Sequence, residues 1–71
     1  MVSVYAPGSL KLTRLREWRR KRTLTQQQLA DKAGLARATL SNIERGQDEP
    51  HTSTIRRLAD ALHVRPEQLM D

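Results

Sequence analysis

The sequence predicts a compact all-α domain of five helices. Apolar residues recur at three- and four-residue spacing along most of the chain, as in helices that turn one side towards a core. Start and stop signals divide this pattern into short helices with short connections. The chain has 71 residues and no cysteine. We therefore expect one domain held by helix packing, with dimerisation as a further source of stability.

Residues 1–9 precede the helical pattern. They carry Val2, Val4 and a Pro7-Gly8 pair that interrupts regular structure. A short strand or an arm is one interpretation, and a loose tail is the favoured one, since chain ends are often poorly ordered. We divide the chain into an N-terminal arm or tail at 1–9 and a helical domain at 10–71.

The first helix is predicted from Leu10 to about Arg22. Leu12, Leu15 and Trp18 recur every three residues and form its apolar stripe. Its last turn is cationic, which the helix dipole favours at a C-terminus.

The second helix has clear boundary signals. Thr25 and Gln28 form a capping box, and Leu24 and Leu29 are placed as a hydrophobic staple. Gly34 supplies the left-handed conformation that ends the helix.

The third helix is predicted from Arg37 to Arg45, stopped by Gly46, and residues 47–50 form a polar loop. The fourth starts near His51 or Thr52. It turns four apolar residues inward, namely Ile55, Leu58, Ala59 and Leu62. The short fifth helix begins with Pro66 at its first position and buries Leu69.

The spacing across the second and third helices predicts a helix-turn-helix at residues 25–45. The small Ala30 lets the third helix cross closely, Gly34 permits a tight turn, and Leu40 fills the angle between them. Four more apolar residues complete the shared core, namely Leu29, Ala33, Leu35 and Ile43.

The other side of the third helix suits a DNA groove. Its residues are small or can form hydrogen bonds, and Arg37 lies at its leading end; they are Ala38, Ser41, Asn42 and Arg45. Small residues permit close approach, and Ser, Asn and Arg can bind base edges or phosphates. Taken alone, this side equally fits an ordinary solvated helix.

The charge also favours an anionic partner. The chain carries 13 Lys and Arg against 8 Asp and Glu, a net charge of +5. Nucleic acid is the commonest partner of a small basic domain, and a solubilising surface charge is the alternative.

From Leu12 to Leu69 the chain resembles the lambda-repressor-like, or Cro and XRE-type, helix-turn-helix proteins. The matching segments are Leu15–Arg19, Leu24–Ala30, Gly34-Leu35, Leu40–Gly46, Pro50 and Leu58–Leu62, with Val64 and Pro66. The resemblance implies a five-helix domain that binds double-stranded DNA sequence-specifically, as a homodimer on a palindromic operator. Our main hypothesis is therefore a small cytoplasmic transcription regulator, with repression as the favoured role.

The resemblance also implies roles for single residues. Gln26 would hold a phosphate and support a base-reading side chain, with Gln27 as a neighbouring contact. On the third helix, the implied DNA contacts are Arg37, Ala38, Thr39, Ser41, Asn42 and Arg45, the last to phosphate. Two departures stand out. Ala36 replaces a capping Ser or Thr, and Trp18 replaces a smaller Leu.

Arg19 lies on the apolar side of the first helix, where a charge needs a partner. Glu44 is the candidate, and the family resemblance supports this structural pair. The alternative is that Arg19 extends to solvent.

Seven of the twelve residues from Lys11 to Arg22 are basic. Lys21 and Arg22, close to the second helix, are candidate phosphate contacts. For Arg14, Arg16 and Arg20, a phosphate contact and a solvated helix face are equally supported.

No catalytic or metal-binding pattern is present. His51 and His63 are isolated, and no Ser or Thr has a His base at a plausible spacing. We expect no enzyme activity, no metal and no cofactor. No signal peptide or membrane span is recognised, which favours a cytoplasmic location.

A dimer would place two third helices about 34 Å apart along the duplex. The family resemblance suggests that Val64, Leu69 and Met70 form the dimer surface. The alternative function is a protein-interaction module of the same fold, such as an antitoxin that binds a toxin partner and regulates its own promoter.

Overall fold

The computed structural model describes residues 12–70, and this range is helical without strands. The elements are α1 (Leu15–Lys21), α2 (Gln26–Ala33), α3 (Arg37–Glu44), α4 (Thr52–Leu62) and a 3-10 helix (Pro66–Leu69). The all-α fold is confirmed. The prediction of five helices needs one correction, because the last element has only four residues and makes the tighter i→i+3 turn. The predicted arm or tail at 1–9 lies outside the described residues.

The first helix begins later than the sequence predicts. Its apolar spacing suggested a start at Leu10, whereas α1 starts at Leu15. The backbone N–H of Arg14 donates to the carbonyl of Leu69 at 3.0 Å, and that of Leu15 donates to Leu12 at 3.1 Å. Residues 12–14 therefore form a turn that docks on the 3-10 helix, where a continuous helix was expected.

Twelve apolar side chains form one core. They are Leu12, Leu15, Leu29, Ala30, Ala33, Leu40, Ile43, Ile55, Leu58, Ala59, Leu62 and Leu69. The helix α2 lies at the centre and packs against α3 and α4, and the 3-10 helix packs against α4. The four residues of α4 that were predicted to face the core are all buried.

Leu69 cannot belong to the dimer surface suggested by the sequence. Its side chain has no exposed area and closes the core of a single chain. Val64 and Met70, the other two residues of that suggestion, are partly buried against the same core.

All four α-helices end in the same way. A residue with positive φ is followed by an N–H that donates to the carbonyl five positions earlier. The positive-φ residues are Thr23 (56°), Gly34 (73°), Gly46 (76°) and His63 (59°). The closing hydrogen bonds are Leu24 to Arg19, Leu35 to Ala30, Gln47 to Asn42 and Val64 to Ala59, at 2.8–3.1 Å. The two glycines were predicted to end helices, but Thr23 and His63 were not.

Candidate nucleic-acid interface

The crossing of α2 and α3 sets the position of the candidate interface. Thr25 Oγ1 accepts from the Gln28 backbone N–H at 3.0 Å, and Gln28 Oε1 accepts from the Thr25 N–H at 2.9 Å, which confirms the predicted capping box. Ala30 and Leu40 are fully buried where the two helices meet. Both residues belong to the shared core, so the packing of α2 against α3 sets the position of α3.

The outward side of α3 is open and carries no exposed acidic side chain. Arg37, Ala38, Thr39 and Arg45 are exposed, while Ser41 and Asn42 are half-buried. Arg45 Nη2 donates to Asn42 Oδ1 at 2.8 Å, so these two side chains form one polar unit. The six predicted contacts therefore lie along α3 and at its C-cap, where Arg45 follows the last helical residue.

The N-terminus of α3 lacks a side-chain cap, as the sequence predicted. Ala36 occupies the capping position with extended backbone and provides no hydrogen bond from its side chain. The first backbone N–H groups of α3 thus have no capping oxygen from this residue.

The other predicted contacts, on α2, already have partners within the protein. Gln26 Nε2 donates to Glu44 Oε1 at 3.0 Å, which links the start of α2 to the end of α3. Gln27 Nε2 donates to Asp31 Oδ1 at 2.9 Å along α2. Because a carboxylate only accepts, the amide nitrogen of Gln26 must face Glu44.

Arg19 and Glu44 are paired in the structure. Arg19 Nε donates to Glu44 Oε2 at 2.6 Å, and Arg19 Nη2 donates to Oε1 at 3.2 Å. The remaining nitrogen, Nη1, donates to the carbonyl of Leu24 at 2.9 Å. The Glu44 side chain is 0% exposed and that of Arg19 is 13% exposed. The pair therefore joins α1 to α3 with little exposure to water.

The Glu44 carboxylate remains charged despite its burial. Burial alone would raise the pKa of Glu44, but hydrogen bonds from Arg19 and Gln26 and the positive charges of Arg19 and Arg16 outweigh it. The net result is a lowered pKa, so the folded state favours the ionised form.

Lys21 and Arg22 lie around Trp18, on another side of α1. Lys21 Nζ is 4.8 Å and Arg22 Cζ is 5.2 Å from the centre of the Trp18 ring. Trp18 Nε1 donates to the Gln68 carbonyl at 2.9 Å, and Arg22 Nε donates to the Leu62 carbonyl at 2.8 Å. Arg22 thus binds the end of α4. The sequence could not indicate this contact, because its partner is forty residues away.

Nothing in the described residues suggests a metal site or a membrane span. No group of three or more His, Cys, Asp and Glu side chains could hold a metal ion within residues 12–70. In the same range, no helix is long and apolar enough to cross a bilayer.

Comparison with known proteins identifies relatives of this arrangement. Residues 15–69 match the helix-turn-helix family model HTH_3. The chain is 45% identical over 51 residues to the immunity repressor protein of Bacillus phage phi105, and 49% identical over 57 residues to RghRB, an uncharacterised HTH-type transcriptional regulator of Bacillus subtilis. These matches cover 72% and 79% of this chain but only 35% and 41% of those proteins.

An uncharacterised HTH-type transcriptional regulator of Archaeoglobus fulgidus is matched over most of its own length. It is 37% identical over 57 residues, which cover 80% of this chain and 81% of that protein.

Solved structures share the fold. The restriction-modification controller protein C.AhdI of Aeromonas hydrophila has a TM-score of 0.81 and 38% identity, covering 93% of this chain and 100% of that one. An HTH_3 family transcriptional regulator from Vibrio cholerae has a TM-score of 0.78 and 27% identity, covering 89% of this chain and 35% of that one.

Proposed function

Because this chain belongs to the helix-turn-helix family HTH_3, we propose that it regulates transcription by reading the major groove of double-stranded DNA with α3. The family is one of DNA-binding transcriptional regulators, and one relative is named as a repressor. Repression is therefore the proposed role. The match to the controller protein covers that protein completely, which supports assigning the regulatory function to the domain itself.

One observation carries the proposal. Glu44, the only acidic residue of α3, turns its side chain away from solvent and is paired with Arg19. The exposed side of α3 therefore carries only neutral and cationic groups, including Arg37 and Arg45. A helix side of this composition can approach the polyanionic duplex without like-charge repulsion.

The proposed contacts divide into base reading and phosphate binding. Arg37 is exposed at the first position of α3, where a helix enters the major groove, and is proposed to reach base edges. Ala38, Thr39 and Ser41 permit close approach. In the Asn42–Arg45 unit, the Asn42 amide is proposed to bind base edges, and the Arg45 guanidinium is proposed to bind phosphate.

Gln26 is proposed to contact a phosphate from the start of α2, with Gln27 beside it. Lys21 and Arg22 are also proposed to contact phosphates. Because they lie around Trp18, they are proposed to contact phosphates at the edge of the DNA footprint.

We further propose that two chains bind a palindromic operator. A symmetric pair would set two α3 helices about 34 Å apart, one turn of the duplex. Val64 and Met70 are apolar, only partly buried, and close to the C-terminal end of the domain. They are the proposed centre of the dimer surface.

Selection of duplexes from a random pool tests the proposal. The wild-type chain should enrich a palindromic consensus, and the mass of the complex should correspond to two chains per duplex. Affinity for the enriched duplex should fall steeply as salt rises from 50 to 200 mM. A logarithmic salt slope near zero would refute DNA binding. Failure to enrich a consensus, together with a stoichiometric complex with another protein, would favour the interaction module.

A further inference from the structure

One buried carboxylate binds two arginines of α1. Glu44 Oε1 accepts from Arg19 Nη2 at 3.2 Å and from Gln26 Nε2 at 3.0 Å, and Arg16 Nε lies 3.6 Å from the same oxygen. Because Arg16 and Gln26 approach the same atom, their side chains lie next to each other. The cluster joins α1, the start of α2 and the end of α3.

The two arginines are not equivalent. Arg19 makes the short hydrogen bonds to Glu44, and its side chain is 13% exposed. Arg16 makes the longer ion pair, and its side chain is 48% exposed. Two guanidinium charges face one carboxylate, so one positive charge stays unbalanced in the cluster. Arg16 presents that charge to solvent, because Arg19 is enclosed.

The basic residues of α1 therefore lie on two different sides. Arg14, Lys21 and Arg22 lie within 6 Å of the Trp18 ring centre. Arg16 lies beside Gln26 and α3. The sequence alone could not distinguish Arg16 from Arg14 as a phosphate contact, but their positions in the structure do.

We propose that Arg16 binds a phosphate of the DNA backbone next to the one reached by Gln26, and that Glu44 positions Arg16 for this contact. The inference rests on the proposed function. A guanidinium binds phosphate with two parallel N–H groups. The ion pair with Glu44 is long and the Arg16 side chain is 48% exposed, so its guanidinium can also be reached by a phosphate.

The test compares Arg16→Gln with Arg14→Gln, which removes the same charge at the N-cap of the same helix, on its Trp18 side. The probe is the duplex enriched by the wild-type chain, with a mixed-sequence 24-base-pair duplex as a second probe. Affinity is measured by fluorescence anisotropy between 50 and 200 mM salt. Arg16→Gln should reduce the magnitude of the salt slope by about 0.9 per bound chain. The ratio of wild-type affinity to Arg16→Gln affinity should therefore fall about three- to fourfold as salt rises from 50 to 200 mM. Arg14→Gln should change the slope much less.

Two further measurements separate phosphate binding from a structural role. Arg16→Lys should keep most of the slope, because an ammonium still binds phosphate as a point charge. Thermal unfolding should be nearly the same for Arg16→Gln and wild type, because an exposed, long ion pair contributes little stability. A lower melting temperature with an unchanged slope would overturn the inference.

The remaining outcomes are also distinguishable. Equal slope changes for Arg16→Gln and Arg14→Gln would overturn the assignment of the contact to one side of α1. A wild-type chain that binds neither duplex at 50 mM salt would refute the proposed function, and the inference with it. Normal wild-type binding with an unaltered Arg16→Gln slope would refute the inference alone.

Discussion

Replacing Glu44 by Gln removes one negative charge from the buried cluster and leaves the size of the side chain nearly unchanged. The carboxylate accepts two hydrogen bonds from Arg19 and one from Gln26. An amide has one accepting oxygen, and its NH₂ group would face the donors of Arg19. Arg19 would then keep its charge at 13% exposure without an anionic partner.

The expected loss is a large part of the stability of this domain. Hydrogen bonds to charged groups contribute about 1.5–3 kcal/mol each, and breaking one member of a buried pair costs about 3–5 kcal/mol. Because Gln keeps one acceptor, we expect the free energy of unfolding at pH 7 to fall by about 2–4 kcal/mol. A domain of this length has roughly 4–10 kcal/mol in total.

The loss should depend on pH in a defined direction. The pKa of Glu44 is lowered in the folded state from its ordinary value of 4.5. The stabilisation from the charged form is therefore complete above about pH 4.5, and it disappears as the pH falls through the lower folded-state value. The difference between wild type and Glu44→Gln should be largest at neutral pH and shrink below pH 4.5.

Urea unfolding followed by fluorescence measures this difference, since Trp18 is the only tryptophan and packs against the core. The matched control is Glu17→Gln, the same chemical change in a carboxylate that is 47% exposed. The control should unfold close to the wild-type midpoint, because exposed pairs contribute little. The reasoning is refuted if Glu44→Gln unfolds at the wild-type midpoint at pH 7, or if its deficit persists undiminished at pH 3.

Three further predictions concern helix ends and DNA contacts. Thr23→Gly should stabilise the domain by about 0.5–1 kcal/mol, because a β-branched residue at φ 56° is strained; a lower melting temperature would show that the Thr23 side chain matters more than its backbone. Ala36→Ser should raise the free energy of unfolding by about 1 kcal/mol through a new N-cap, measured without DNA; no gain would mean that the hydroxyl does not reach the α3 amides. Arg37→Ala should weaken binding to the enriched duplex by about 1–3 kcal/mol and relax the preference at one base position, whereas Arg45→Ala should weaken all duplexes alike and reduce the salt slope by about one unit. Parallel losses on specific and mixed duplexes for Arg37→Ala would argue against base reading by this residue.

Both ends of α2 and the end of α3 follow from local sequence signals. The Thr25 and Gln28 cap, and the glycines at 34 and 46, act within one helical turn of the residues that they affect. The helical spacing of apolar residues likewise predicted that Ile55, Leu58, Ala59 and Leu62 lie in the core. Arg19 was recognisable because a charge on an apolar side needs a partner, and Glu44 lay at a suitable position on another helix.

Other features depend on residues that are distant in the sequence. The start of α1 is set by the Leu69 carbonyl, which accepts from Arg14 more than fifty residues earlier. The same docking buries Leu69 and removes it from any dimer surface. Thr23 and His63 take left-handed backbone although neither is glycine, so the residue type did not reveal these two helix ends.

The sequence by itself therefore determined the family, the helix-turn-helix and the exposed residues of α3, because each depends on spacing within a few turns. Only the tertiary structure decided which neighbours Arg16 and Lys21 face. Arg16 and Lys21 are both exposed cations five residues apart. They differ because α1 packs with Glu44 and Gln26 on one side and with the 3-10 helix, through Trp18, on another.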